Sequence, residues 1–134
     1  MSLFASPRFL RNVLLADAAS CIATGVLQLL FTADLARLFN LPAVLLIGTG
    51  WFLLAYAAFV GFIATRDPVP RGGVWLLVAG NLGWAAGCLA LLASGAIAAT
   101  ALGVAWILAQ AATVAVLAEL QWTGLRRAPV VGWA

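Results

Sequence analysis

The chain has 134 residues, of which 66% are hydrophobic and only 8% charged, with a net charge of +3 and no histidine. A soluble domain is about one quarter charged. There is too little polar surface here to cover a water-exposed globule, and a histidine-ligated zinc, haem or other metal site is excluded. All seven basic residues are arginines, placed mostly in pairs at the edges of apolar stretches. Nucleic-acid binding calls for a basic stripe or patch, so no nucleic-acid partner is expected.

Four apolar stretches, residues 12–31, 43–65, 74–94 and 97–120, take up most of the chain. A spanning helix needs about 20 predominantly apolar residues. A membrane β-barrel would need roughly ten-residue strands of alternating polarity, whereas these stretches are apolar all round and rich in Ala, Leu and Gly. The expected fold is all-α: a four-transmembrane-helix bundle forming one integral membrane domain over residues 1–134, with the lipid bilayer as its surroundings.

Arg8 and Arg11 precede the first stretch, which then runs into small residues before Cys21. A cleaved or lipidated leader is not expected, because Asp17 interrupts the apolar run and hydrophobicity continues past Cys21 to Phe31. Asp17, Cys21, Thr24 and Gln28 are separated by four, three and four residues, which puts them on one helical stripe. After this stretch, Thr32 is in place to cap a short helix, with Asp34 suiting its first turn. Leu35, Leu38 and Phe39 give that helix an apolar face and Pro42 stops it, so a short interfacial helix is expected on the outer surface.

In the second stretch Thr49 and Tyr56 share a face. The loop Arg66-Asp67-Pro68-Val69-Pro70-Arg71-Gly72-Gly73 contains two prolines and two glycines, a strong helix break. In the third stretch Asn81 and Cys88 share a face, and Gly83-x-x-x-Gly87, extended by Gly80, reads as a close-packing surface that a homodimer could use. The third loop, around Ser94 and Gly95, is so short that an antiparallel hairpin of the last two helices follows. In the fourth stretch Gly103, Gln110 and Thr113 line up. Beyond Gly124 the tail is expected to be partly disordered, with Trp133 able to rest at headgroup level. Cys21 and Cys88 form no CxxC motif and read as small buried hydrophobes.

Counting arginine by side sets the orientation. Arg8, Arg11, Arg66, Arg71, Arg126 and Arg127 fall on one side and Arg37 alone on the other, six against one. The positive-inside rule then places both termini and the middle loop in the cytoplasm, in a multi-pass inner (plasma) membrane protein.

Polar groups in hydrocarbon are costly and face the bundle interior or a site. At about 1.5 Å per residue, Asp17 and Asn81 lie roughly 10 Å inside the cytoplasmic boundary and Tyr56 and Gln110 roughly 13–15 Å inside. Each helix thus contributes one polar group to a layer in the cytoplasmic half. Asp17 is the key residue, with Tyr56, Asn81 and Gln110 as its expected partners. It either ties helices together or holds a proton or ligand. Trp51, Trp75 and Trp122 fit aromatic belts, while Trp84 and Trp106 lie deeper, and Trp84 could line a pocket for a flat apolar ligand such as a quinone.

The Arg-flanked first span, the LARLFNLP segment before a Gly-bearing second span, the NLGW stretch and the closing LQWTGLRR resemble the small four-span bacterial membrane proteins of DoxX-like layout. Some of that group are linked to quinone-coupled sulfur oxidation, but no residue here carries the activity over. The expected function is that of an accessory or small-ligand-binding membrane protein rather than an enzyme. No cofactor is expected, a quinone or a lipid being the ligand left open, and a homo-oligomer or a partner membrane subunit the association left open. A proton-coupled small-solute transporter and the membrane subunit of a quinone-linked oxidoreductase are the alternatives. A small multidrug exporter of this size would centre on a mid-span glutamate in the first helix, where this chain has none.

Overall fold

The structure, a computed structural model, describes residues 7–127. It contains α1 (Pro7–Leu30), α2 (Thr32–Phe39), α3 (Ala43–Thr65), α4 (Arg71–Ser94) and α5 (Ala101–Arg127). All but α2 are long and apolar enough to cross a membrane. At most 39% of any span's most apolar window is buried inside the bundle. Outward-facing Leu30, Val44, Trp51 and Leu76 are each more than 60% exposed. Apolar surface on that scale is tolerated in lipid and not in water, so the chain is a multi-pass membrane protein. The expected tail position of Trp133 lies outside the described residues.

The bundle consists of two tight pairs, α1 with α3 and α4 with α5, joined chiefly where α1 meets α5. Without a hydrophobic drive between helices in lipid, close approach depends on small residues. Here the small residues are Gly25 and Gly50: a Cβ added to Gly25 would lie 2.9 Å from the Gly50 carbonyl oxygen. The expected packing surface on α4 behaves differently. Nothing lies within 4 Å of a Cβ added to Gly83 or Gly87. Among the described residues these two glycines border open space instead of a helix.

The short helix α2 lies across the end of the bundle opposite the arginine pairs. Its Leu35 and Phe39 turn inward onto Leu41, Leu46 and Ile107, and Phe39 stacks on Trp106 with ring centroids 5.2 Å apart. Leu38 is exposed, so the inward face is narrower than the expected Leu35, Leu38 and Phe39 set. Thr32 is not the cap. Phe31 occupies that position, and the Thr32 hydroxyl donates back to the Gln28 and Leu29 carbonyls. Asp34 and Arg37 pair in the open.

The loop from residue 95 to 100 is longer than the pattern of hydrophobicity implies. Gly95 leaves α4 with φ +72°, and α5 begins only at Ala101. The intervening residues are bonded to α2: Asn40 Nδ2 donates to the Ala98 carbonyl, and the Thr100 amide and hydroxyl donate to the Phe39 and Leu38 carbonyls. Gly103 then passes so close to the Phe39 carbonyl that no side chain fits. In the middle loop the prolines end the helix break, and Gly72 and Gly73 already belong to α4. Gly73 makes room for Ile63.

At the opposite end, arginines cap neighbouring helices. Arg11 Nε donates to the Ala64 carbonyl at 2.9 Å and its Nη2 to the Arg66 carbonyl at 3.0 Å. Arg71 Nη1 donates to the Leu125 carbonyl at 3.0 Å. The last carbonyls of a helix lack internal partners and carry the negative end of its dipole, so each guanidinium ties one helix to the C-terminal end of another.

Candidate functional site

Leu10, Leu14, Leu77, Val78, Ala118 and Leu125 form the core of the arginine end, and Asp17, Asn81 and Gln121 are buried on the same helices. All three are at most 2% exposed. Asn81 Nδ2 donates to Asp17 Oδ2 at 2.9 Å and to Gln121 Oε1 at 3.2 Å, and Gln121 Nε2 donates to the same Asp17 oxygen at 2.6 Å. The Cys21 thiol approaches Asp17 Oδ1 at 3.6 Å. The triad links α1, α4 and α5, and each bond satisfies a group that hydrocarbon would otherwise leave unpaired at a cost of about 1–3 kcal/mol.

Of the partners expected for Asp17, Asn81 is one. Tyr56 is not: its hydroxyl donates to the Leu77 carbonyl at 3.1 Å. Nor is Gln110, whose Oε1 accepts from Trp84 Nε1 at 3.3 Å. The reason lies in the length of α5. Because it runs on to Arg127, Gln110 is about 26 Å from that end rather than about 15 Å. Gln121 takes its place. The sequence does carry a signal for it: Gln110 and Gln121 are eleven residues apart, about three helical turns, and so share a stripe. Gln28 forms a separate polar contact, donating to the Leu46 carbonyl at 3.0 Å and to Thr49 Oγ1 at 2.8 Å.

Consecutive helices α3 and α4 scarcely touch. Between them lies a groove of about 560 Å³. It runs from Asn81 and Tyr56 at mid-bundle to Leu45 and Leu91 near the α2 end. Phe52 stacks on Trp84 at 5.6 Å with 12° between the rings, and on Tyr56 at 6.2 Å. Gly83 and Gly87 form the bare wall on α4, which is why their open faces matter.

The five residues singled out by sequence therefore gather around one groove in two ways. Tyr56, Asn81 and Trp84 line it. Asp17 and Gln110 stand behind, Asp17 bonded to the lining side chains of Asn81 and Cys21 and Gln110 to that of Trp84. Trp106 is not among them, since it is stacked on Phe39 beneath α2. Thr113 is exposed and bonds back to the Ala109 carbonyl.

Comparison with known protein families, with curated proteins and with solved structures returned no match.

Proposed function

We propose that this chain is a small-ligand-binding membrane protein that takes one lipid-soluble molecule into the α3–α4 groove, sideways from the bilayer. The groove itself carries this reading. Its 560 Å³ falls within the roughly 300–1,000 Å³ of small-molecule sites. Aromatic rings form one wall, and glycines that pack against nothing form the other. Binding rather than catalysis is proposed, because both Asp17 oxygens already accept hydrogen bonds, from Asn81, Gln121 and Cys21. That arrangement supports a tie between helices over a proton carrier. A second reading, the membrane subunit of a quinone-linked oxidoreductase as the DoxX-like layout implies, draws on the near-parallel Phe52 and Trp84 rings, which suit a planar ligand.

The proposed setting is the inner membrane of a bacterium, with both termini and the α3–α4 loop in the cytoplasm. The test is native mass spectrometry of the protein released from membranes. A Gly83→Leu variant projects a side chain into the groove from a position where an added Cβ meets nothing within 4 Å. A discrete apolar adduct on the wild type that is lost in this variant supports the reading. Equal adducts on both, or none on either, overturn it.

A further inference from the structure

We propose that the groove selects a lipid-soluble molecule bearing a hydroxyl donor, an alcohol or phenol, over a molecule of the same shape that can only accept hydrogen bonds. This rests on the groove being the binding site.

The polar groups of the lining divide unequally. The Thr49 hydroxyl donates to the Leu45 carbonyl at 2.6 Å. The Tyr56 hydroxyl donates to the Leu77 carbonyl at 3.1 Å. Trp84 Nε1 donates to Gln110 at 3.3 Å, and the Cys21 thiol points to Asp17 at 3.6 Å. Asn81 spends its amide hydrogens on Asp17 and Gln121. Among the lining donors only the Cys88 thiol is uncommitted, and a thiol is a weak donor.

Thr49 Oγ1 already accepts from Gln28, but two other lining acceptors are free. Asn81 Oδ1 accepts from no group, although Asn81 is 98% buried. Among the described residues no fully buried side-chain polar atom lacks a partner. Asn81 therefore reaches the groove surface through this oxygen. Tyr56 Oη keeps its acceptor capacity as well.

The hydroxyl directions follow from their partners. A main-chain carbonyl only accepts, so the Thr49 and Tyr56 hydroxyls must donate to it. Turning the Asn81 amide over would set its oxygen against Asp17 Oδ2, which already accepts from Gln121. A ligand hydroxyl at Asn81 thus finds a waiting acceptor in a low-dielectric wall, and a carbonyl or ether finds only the weak Cys88 thiol as a donor. A buried polar group built to meet a hydroxyl discriminates against the analogue without one.

The test uses the full chain in phosphatidylcholine nanodiscs, titrated with 4-nonylphenol and with its methyl ether, 4-nonylanisole, with bound fractions read by native mass spectrometry. The phenol is expected to bind about tenfold tighter, the value of one net hydrogen bond. In Asn81→Leu the phenol should fall to the affinity of the ether, whose retained binding reports an intact groove. In Gly83→Leu both should be lost. Equal affinity of the two probes in the wild type, with both lost in Gly83→Leu, overturns the donor preference and leaves the groove as a binding site. Binding that survives Gly83→Leu, or no binding of either probe, overturns the groove reading and this inference with it.

Discussion

Asn81 reaches Asp17 across the bundle, Nδ2 to Oδ2 at 2.9 Å, and by doing so turns its own amide oxygen toward the α3–α4 groove. One side chain is thus both a tie between α4 and α1 and part of the groove wall. The tie and the wall can be separated by substitution.

Asp17→Asn should be nearly silent, because an amide oxygen can accept the same two hydrogen bonds. Asp17→Leu should not be, since it strands the amide hydrogens of Asn81 and Gln121 in a buried site. A loss of about 2–4 kcal/mol is expected, read by SDS or thermal unfolding in micelles. A comparable loss in both variants would mean that charge, not hydrogen bonding, matters at Asp17.

The glycines of α1 and α4 should respond in opposite ways. Gly25→Ala places a Cβ 2.9 Å from the Gly50 carbonyl oxygen, where backbone must move. About 1–3 kcal/mol of destabilisation is expected from such overpacking. Gly83→Ala meets nothing and should leave the unfolding midpoint unchanged or raised. If Gly83→Ala were the damaging one, the α4 face would be an interface between copies.

Arg11→Met removes the bonds to the Ala64 and Arg66 carbonyls. Stability should fall by about 1 kcal/mol, reduced from the full value of a charged hydrogen bond by exposure to water. The orientation should hold, since arginine would still divide five to one. Reporter fusions at the C-terminus check the second half, and a flipped topology would contradict the positive-inside assignment.

Gln110→Leu leaves the Trp84 N–H without its acceptor. The indole should lose its fixed position on Phe52. Affinity for a groove probe should drop roughly threefold to tenfold, the equivalent of one hydrogen bond, with little change in stability. Gln110→Leu should change tryptophan emission in the wild-type background and leave it unchanged in a Trp84→Phe background.

Much of the site was legible at the level of faces. Asp17, Cys21 and Gln28 do share one buried stripe of α1, as their spacing implies. Which groups would meet was not legible, because pairing depends on where each helix ends. Residues 121–127 extend α5 by seven residues beyond the apolar run. At about 1.5 Å each this shifts its register by roughly 10 Å, which exchanges Gln121 for Gln110 beside Asp17. Polar and arginine residues end a hydropathy pattern, but they do not end a helix whose last turns sit in the headgroup region.

The amino-acid sequence by itself determined that this is an all-helical membrane chain with four spans. That follows from the length and polarity of its stretches, quantities local to each segment and imposed by the bilayer. Tertiary structure alone decided that α1 packs on α3 through Gly25 and Gly50, while Gly83 and Gly87, equally small, are left facing a groove. A glycine permits close approach without requiring it, and the partner is chosen by how all the helices share the available contact surface. The same holds for the arginines. Their positions along the chain speak only of orientation, and the carbonyls that Arg11 and Arg71 cap belong to helices more than fifty residues away.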